Sequence, residues 1–327
     1  MRQNAAFVAV LAGAAGLGAL LVMPGRRGVD VPAPPPPADE PSEQPSAPPP
    51  PKPRRPAPPP APTTPAHVRV DPASKSDCGE GMVLVDGVYC PYVGHRCAVF
   101  EDEARDICAT YAPEAICEGA LSRRRFCIDI HEYPNVAGVR PAVWVSFDDA
   151  KRACAAEGKR LCAAEEWELA CEGTGMWPFP YGLTRQAEAC NDRKATPAPE
   201  PDRLDDPWTR EAELARADGR DPAGAHPACA SPFGALDMLG NVEEWVIHDN
   251  GQEKEKPFRT ARKGGSWARG KARCRPIDGS EPGWYRANDL GFRCCSDAAG
   301  DLPAAQRVTP RGAVHTKKRV VLSPPPN

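Results

Sequence analysis

The sequence predicts one folded domain with both short strands and short helices, placed behind an apolar N-terminal segment and a proline-rich linker. Three observations lead to this prediction. The 41 prolines among 327 residues are concentrated near the N-terminus, so much of the length cannot form a core. Strand-like and helix-like hydrophobic patterns both occur between residues 81 and 171. All 14 cysteines lie between Cys78 and Cys295, within the part predicted to fold.

Charge and cysteine usage narrow the functional class. Because 41 basic side chains face 44 acidic ones, for a net charge of -3, the chain has no strong field to gather nucleic acid, and we expect no nucleic-acid partner. The cysteines are even in number and mostly widely spaced, whereas zinc sites use close Cys-x-x-Cys pairs. We therefore expect disulfides or buried small apolar groups in a domain matured in an oxidising compartment.

Residues 1–27 are predicted to be an uncleaved signal anchor. The uncharged run Ala5–Met23 is about as long as a helix needs to cross the hydrocarbon core of a bilayer. A cleaved signal peptide is the alternative, but its apolar core is normally shorter and ends at a small-x-small site, whereas this run ends in LLVMPGRR. With arginine on both flanks, orientation depends on the cysteines. They favour a single-pass cell-membrane protein whose domain faces the periplasm or the extracellular space.

The rest of the chain divides by composition into three parts. Residues 28–72 are mostly Pro, Ala, Ser and Glu, which predicts a disordered polyproline spacer, with a proline-motif ligand as the alternative. The folded domain is placed at residues 73–297. Residues 298–327 have no apolar period and are predicted to be a disordered basic tail.

Two strands and two helices are predicted in the first half of the domain. Gly81–Cys90 has the apolar content of a strand entering a glycine turn, and Phe126–Asn135 alternates like a second strand. A helix is predicted from Ser146, which begins a capping box, to a stop at Gly158. A second helix is predicted over Ala163–Cys171.

The second half is predicted to be built from turns instead of long elements. Residues of about 192–228 are polar and rich in Pro and Asp, which indicates a surface insertion with one helix starting at Asp206 and Pro207. Three dense motifs follow: FGALDMLGNVEEWV at Phe233–Val246, KGGSW at Lys263–Trp267 and DLGFRCC at Asp289–Cys295. Their glycines and tryptophans are typical of tight turns packed on aromatic anchors.

Taken in order, these motifs resemble the formylglycine-generating enzyme, or sulfatase-modifying factor, family. The series MVLVDG, FCIDIHEYPN, VWVSFDDAKRAC, GKRLCAAEEWELAC, GALDMLGNVEEWV, KGGSW and GFRC runs over about Gly81–Ser296. The resemblance implies an α+β domain of the sulfatase-modifying-factor fold, distantly like C-type lectins, with little regular secondary structure and often stiffened by calcium.

The same resemblance implies where a copper ion would bind. The family's oxidases convert a substrate cysteine into formylglycine and bind copper through two cysteines placed three and eight residues after the serine of the GGS motif. Counted from Ser266, these positions hold Arg269 and Cys274. Two thiolates suit Cu(I), whereas an arginine stays protonated and has no lone pair to give a metal. The catalytic roles implied for Cys274 and Ser266 are therefore broken by Arg269, and a functional formylglycine-generating oxidase is not favoured.

Other interpretations of these residues stay open on sequence. A divergent metal-dependent oxidase acting on a protein cysteine would need a further soft ligand beside Cys274, such as Cys294 or Cys295. Cys274 is otherwise interpreted as a disulfide partner, and Ser266 as part of a structural turn. The six histidines never stand four apart as an iron facial triad requires, and the segment around Ser266 lacks the Gly-x-Ser-x-Gly elbow of a serine hydrolase.

The resemblance also implies calcium sites. The family's second site would take side-chain oxygens of Asp237 and Glu244 with the carbonyls of Gly240 and Val242, an all-oxygen set that suits a hard cation. Asn191 and the carbonyl of Asp192 match the start of its first site. The alternative is that Asp237 and Glu244 accept hydrogen bonds from turn amides.

Three departures from the family pattern bear on function. Glu243 stands where the enzymes often have tryptophan near the substrate groove, and Cys162 and Ala163 replace Pro and Thr, which removes the N-cap of the second helix. The sequence thus favours a non-catalytic extracytoplasmic binding or scaffold module on a membrane stalk, with a protein or glycan ligand. A glycan is suggested by lectin-like analogy and by Trp208 and Trp284 alone.

Overall fold

The computed structural model describes residues 77–248, 260–270, 272–279, 281–300 and 317–322. They all fall in one compact unit that spans Pro62–Asn327. The predicted anchor, residues 1–27, and the predicted linker, residues 28–72, lie outside the described residues. Within the described ranges, no helix is both long and apolar enough to cross a membrane.

The described residues form many short elements. The strands are β1 (Met82–Tyr89), β2 (Tyr92–Gly94), β3 (Cys97–Asp102), β4 (Ile107–Tyr111), β5 (Glu114–Glu118), β6 (Ser122–Asp129), β7 (Arg160–Leu161), β8 (Glu243–Ile247), β9 (Thr260–Lys263), β10 (Leu290–Phe292), β11 (Cys294–Ser296) and β12 (Lys317–Val321). The helices are α1 (Phe147–Ala156), α2 (Ala164–Glu172), α3 (Pro201–Asp205) and α4 (Arg210–Arg216). This mixture of short strands and helices confirms the predicted fold class in its coarse form.

The strands form three small sheets and a hairpin. One sheet has the order β1-β6-β11-β7, a second β10-β8-β9 and a third β12-β5-β2, while β3 pairs with β4. β10 runs parallel to β8, and the other pairs are antiparallel. The central ladder joins β1 to β6, from Met82 opposite Asp129 to Tyr89 opposite Ser122.

The first predicted strand is confirmed, and the second is shifted. β1 occupies Met82–Tyr89 within the predicted range Gly81–Cys90. β6 covers Ser122–Asp129, so it begins and ends earlier than predicted. It ends where Asp129 meets Met82, because β1 offers no further residue to pair with.

Both predicted helices of the first half are present. The Ser146 hydroxyl accepts from the Asp149 amide at 3.2 Å, and the Asp149 carboxylate accepts from the Ser146 amide at 3.1 Å, which is the predicted capping box. At α2, Ala163 offers no capping oxygen, and only the Glu166 carboxylate accepting from its amide at 3.0 Å remains. The missing cap predicted for this helix is therefore confirmed.

The core is arranged around large aromatic side chains, as the motif composition predicts. Trp167 of α2, Trp245 of β8 and Trp267 after β9 are each at most 1% exposed. Gly264 has φ of +83°, and a side chain there would place its Cβ 2.9 Å from the Met238 carbonyl and 3.1 Å from the Trp167 ring. Only glycine fits this turn between a strand and an indole ring.

Seven disulfides account for every cysteine of the chain. The pairs are Cys78–Cys127, Cys90–Cys117, Cys97–Cys108, Cys154–Cys294, Cys162–Cys295, Cys171–Cys274 and Cys190–Cys229. The expectation of disulfides is confirmed, and no thiol is left for a zinc cluster.

The predicted insertion, residues 192–228, is bracketed by the Cys190–Cys229 disulfide. A single helix starting at Asp206 and Pro207 is wrong, because α3 ends at Asp205 and α4 begins at Arg210. The segment also contributes to the interior, since Leu204 and Ala217 are buried. It is therefore not only a surface feature.

The prediction of a disordered tail over residues 298–327 is wrong for residues 317–322. Lys317–Val321 forms β12, which pairs antiparallel with β5. The following Leu322 is 1% exposed and donates its amide to the Pro113 carbonyl at 2.7 Å. The segment folds because β5 provides a partner that no local pattern in the tail reveals. Residues 301–316 lie outside the described residues.

Candidate functional site

A cleft of about 500 Å³ lies beside the edge strand β9. One side is formed by Glu243 of β8 and by β9 and the glycines that follow it. The other side is formed by the loop from Arg269 to Asp278. This is the region where the family resemblance places copper chemistry, so its donors decide what the site can do.

Arg269 lies at the cleft, and its guanidinium has no lone pair with which to bind a metal ion. Its guanidinium is 3.4 Å from the Glu243 carboxylate and 3.9 Å from the Asp289 carboxylate. Burial raises the pKa of Glu243, and the nearby Arg262 and Arg269 oppose that shift. Arg269 thus introduces a cation where the resemblance implies a thiolate.

Cys274 is bonded to Cys171 and is fully buried. Its assignment as a catalytic, copper-binding thiolate is therefore wrong, and its interpretation as a disulfide partner is confirmed. The suggested rescue ligands are also excluded as thiolates, because Cys294 is bonded to Cys154 and Cys295 to Cys162. Together with Arg269, these pairings leave the cleft without a thiolate in the described structure.

Ser266 is fully buried beneath the cleft, and its hydroxyl donates to the Asp289 carboxylate at 2.6 Å. Its backbone carbonyl accepts from the Arg269 amide at 3.2 Å. These contacts match the interpretation of Ser266 as part of a structural turn. They do not expose its hydroxyl as a nucleophile.

A buried charge cluster lies behind the cleft. The Lys263 ammonium donates to the Glu168 carboxylate at 2.8 Å and to the Arg275 carbonyl at 2.9 Å. Arg275 pairs with Glu172, while Tyr89 donates its hydroxyl to Glu168 at 2.6 Å. Burial raises the pKa of Glu172 to about 7, and burial lowers the pKa of Lys263. The cluster fixes β9 against α2 and takes Lys263 out of use as a free amine.

The residues predicted to hold calcium come close together, but they do not fit a metal ion. Both Glu244 oxygens accept from the Arg293 guanidinium at 2.8–3.0 Å, and one also accepts from the Trp167 indole at 2.8 Å. The Asp237 carboxylate accepts from the Gly224 amide at 2.7 Å. The turn-amide alternative thus describes Asp237, while a guanidinium serves Glu244. Among the described residues, no group of three or more His, Cys, Asp and Glu side chains could hold a metal ion.

Arg293, from the GFRC motif, supplies the cation at this place. It is fully buried and also donates to the Ile130 carbonyl at 3.2 Å and the Leu236 carbonyl at 2.9 Å. Glu132 is buried nearby and accepts from the Val242 amide at 3.0 Å. Burial first, and then the Asp237 and Glu244 carboxylates, raise the pKa of Glu132 well above its usual value.

The residues matched to the first calcium site have other partners. The side-chain amide of Asn191 donates to the Gly219 carbonyl at 2.9 Å. The backbone carbonyl of Asn191 accepts from the backbone amide of Asn241 at 2.7 Å. The Asp192 carboxylate pairs with Arg185. The remaining predicted ligands, Gly240 and Val242, flank Asn241 in the sequence, and Gly240 packs closely against the Asn191 carbonyl.

Two groups of residues were missed by sequence reasoning. Arg262 and Arg273 line the cleft, and nothing in an isolated arginine distinguishes a cleft wall from a solvated surface. The GFRC motif contains Arg293, and a charge-balance argument could have singled it out because Glu132, Asp237 and Glu244 fall in other motifs of the series. Trp208 and Trp284, suggested as glycan contacts, are 94% and 74% exposed.

Comparisons with known proteins agree with the motif order. A family model described as the sulfatase-modifying factor enzyme 1-like domain matches residues 120–298. The inactive C-alpha-formylglycine-generating enzyme 2 of Bos taurus is 33% identical over 167 residues, which cover 48% of this chain and 50% of that protein. The formylglycine-generating enzyme of Bos taurus is 28% identical over 178 residues, covering 48% and 44%. The chain thus spans about half the length of the curated relatives it matches.

Among solved structures, the crystal structure of CarF is 16% identical, with a TM-score of 0.41. That similarity covers 66% of this chain and 97% of CarF.

Proposed function

Because this chain belongs to the sulfatase-modifying factor enzyme 1-like family, we propose that its domain keeps the family framework but binds a ligand without oxidising it. We further propose that it acts outside the cytoplasm as a binding or scaffold module tethered to the cell membrane. A relative named as an inactive formylglycine-generating enzyme is among the similar proteins, which supports a non-catalytic role.

The state of Cys274 carries this proposal. Copper oxidation of the family's kind needs two thiolates on one metal ion, because soft sulfur ligands hold Cu(I). Here one position is Arg269, and the Cys274 sulfur is bonded to Cys171. A bonded sulfur is not a thiolate, and an arginine has no lone pair to give a metal.

The location rests on two separate arguments. Seven disulfides are typical of proteins that mature in an oxidising compartment. The membrane tether depends on Ala5–Met23 and the proline-rich residues 28–72 and comes from the sequence alone. Both are tested by adding protease to cells whose outer envelope has been opened while the cytoplasmic membrane stays sealed. The domain is expected to fractionate with the membrane and to be cleaved, while a cytoplasmic marker stays protected.

The catalytic part is tested by counting thiols and copper on the full chain. We expect no free thiol in the denatured, unreduced protein, and fourteen after reduction. We also expect neither stoichiometric Cu(I) binding nor oxygen consumption with a thiol peptide. Stoichiometric copper that is lost in Cys274→Ser, together with oxygen consumption, would refute the non-catalytic role and restore the divergent oxidase.

A further inference from the structure

The cleft contains two arginines whose charge is not fully compensated within the domain. Arg269 is 46% exposed, and its carboxylate neighbours lie at 3.4 and 3.9 Å, which is longer than a charge-assisted hydrogen bond. Arg273 is 30% exposed and lies 3.8 Å from the Asp106 carboxylate, which is itself 78% exposed. Both side chains line the cleft.

Arg262 also lines the cleft, but unlike Arg269 and Arg273 it is closely paired with carboxylates of the domain. It is 4% exposed, and its guanidinium is 3.0 Å from the Glu243 carboxylate and 2.5 Å from the Asp278 carboxylate. Its ring contact with Tyr285, at 5.4 Å, fixes it further. Because Arg262 already uses the carboxylates of the cleft wall, Arg269 and Arg273 keep donors for a ligand.

An arginine with free donors selects a particular chemistry. The guanidinium presents five N–H donors in a planar fork that matches a carboxylate in bidentate geometry. Partial burial makes such a pair stronger than one on an open surface, since water competes less for each group. The cleft therefore favours a ligand that presents a carboxylate.

The remaining walls are apolar or bare backbone. Ala272, Pro276 and Ile277 line the cleft, and Gly265 lies against Ala272 and adds backbone without a side chain. A volume of about 500 Å³ lies within the range of specific ligand sites. These walls suit the aliphatic stem that carries an acidic side chain.

The β3–β4 hairpin contacts the cleft residue Arg273 and lies outside the matched family region, residues 120–298. It holds Arg273, whose guanidinium donates to the Tyr111 hydroxyl at 2.6 Å. Its Glu101 pairs with both guanidinium nitrogens of Arg193, at 2.5 and 2.6 Å, and Arg193 packs against Gly270, next to Arg269.

The same hairpin is closed by the Cys97–Cys108 disulfide and exposes apolar side chains. Val99 is 55% exposed and Phe100 is 42% exposed. A ligand that reaches from the cleft onto this hairpin must be longer than a single residue, and apolar contacts there would suit a polypeptide better than a small acid.

We propose that this cleft binds an extended acidic peptide segment of another protein, with a carboxylate held by Arg269 and Arg273 and the neighbouring residues resting on the β3–β4 hairpin. The inference rests on the proposed function, since it assigns a ligand class to the same non-catalytic cleft.

The test uses the full chain, immobilised through its N-terminal end, and a pool of short random peptides. Bound peptides are sequenced and compared with the input pool. We expect Asp and Glu to be enriched over their uncharged isosteres Asn and Gln. We expect Arg269→Gln and Arg273→Gln each to reduce that enrichment about tenfold, the size expected for one charged hydrogen bond.

Two further variants separate binding from folding. Arg269→Lys keeps the charge but loses the planar fork, so it should retain only part of the enrichment. Arg152→Gln removes an arginine that is 71% exposed and pairs with Asp149 on α1, outside the cleft, and should behave as the wild type. Intact disulfides and an unchanged unfolding midpoint show that each variant is folded.

The outcomes are distinct for the two proposals. Equal capture of acidic and isosteric peptides, or enrichment unchanged in both Gln variants, would overturn the acidic-peptide inference while leaving the non-catalytic role untouched. Copper-dependent oxygen consumption would instead refute the non-catalytic role. A pool that yields no bound peptide at all would also overturn the inference.

Discussion

Arg293 offers the sharpest test of how the framework is held together. In Arg293→Met, the buried Glu244 carboxylate would lose its guanidinium partner and keep only the Trp167 indole as a donor. Carbonyls that now accept from Arg293, including those of Ile130 and Leu236, would lose that donor as well.

The expected cost follows from burial. Arg293 is fully buried and Glu244 is 1% exposed, so water cannot replace the lost partner without opening the core. Breaking a buried ion pair by removing one member costs about 3–5 kcal/mol, mostly because a charge is left uncompensated. We expect Arg293→Met to lose about that much, and the double variant Arg293→Met with Glu244→Gln to recover a large part of it.

The assay is denaturant unfolding of the non-reduced protein, with Arg152→Met as the exposed control, which should change stability by less than about 1 kcal/mol. EDTA should leave the wild-type midpoint unchanged, since the Glu244 oxygens are already occupied. A loss below about 1 kcal/mol in Arg293→Met would refute the reasoning. A calcium-dependent rise of the wild-type midpoint would instead restore the predicted calcium site.

Three further perturbations test local features. The pKa of Glu172 is raised to about 7 from an ordinary 4.5, so the folded state holds a proton that the unfolded state has lost, and stability should fall as pH rises between these values. In Glu172→Gln this fall, worth about 3 kcal/mol at most, should disappear from midpoints measured between pH 4 and about 8. Ser146→Ala should cost about 1 kcal/mol through the lost cap, whereas Ala163→Ser should stabilise the uncapped α2, and equal effects of the two would contradict the capping argument. Leu322→Ala should cost about 2–5 kcal/mol and expose the tail to limited proteolysis, while Val321→Ala, at 74% exposed, should do neither.

Local signals in the sequence predicted the elements that depend on local chemistry. The capping box at Ser146 and the stop at Gly158 located α1 almost to the residue, because caps are set by backbone groups within one turn. The missing cap at Ala163 was visible for the same reason. The glycine and tryptophan motifs likewise indicated tight turns around Trp167 and Trp267, which are buried.

Features that depend on distant partners could not be predicted. β12 forms because β5 lies beside it, although Glu118 and Lys317 are far apart in sequence. Disulfide connectivity has the same character, since fourteen cysteines allow too many pairings for spacing to choose among them. The assignment of Cys274 depended on that choice, so a candidate metal ligand could be recognised as a structural sulfur only from its partner, Cys171.

Motif spacing in the sequence located part of the cleft, but it did not reveal that Arg262 and Arg273 line it. Ser266 and Arg269 were identified by counting from one motif, and both lie at or under the cleft. The contribution of Arg273 depends on Tyr111 and Asp106 of a hairpin that shares no motif with it. Sequence spacing cannot show which of several arginines keeps a free donor, because that depends on carboxylates brought in by other strands.

The contacts that hold the framework of this chain do not depend on copper chemistry. The domain is held by Arg293 with Glu244, by Lys263 with Glu168, and by the disulfides, none of which needs a metal ion or a free thiol. The Cys171–Cys274 bond belongs to the same framework, since it fixes the cleft loop to α2. A framework stabilised in this way is compatible with the proposed non-catalytic role, in which Arg269 contributes to ligand binding at the cleft. The motifs of this domain therefore indicate how the chain folds, whereas under the proposed function the arginine side chains at the cleft decide what it binds.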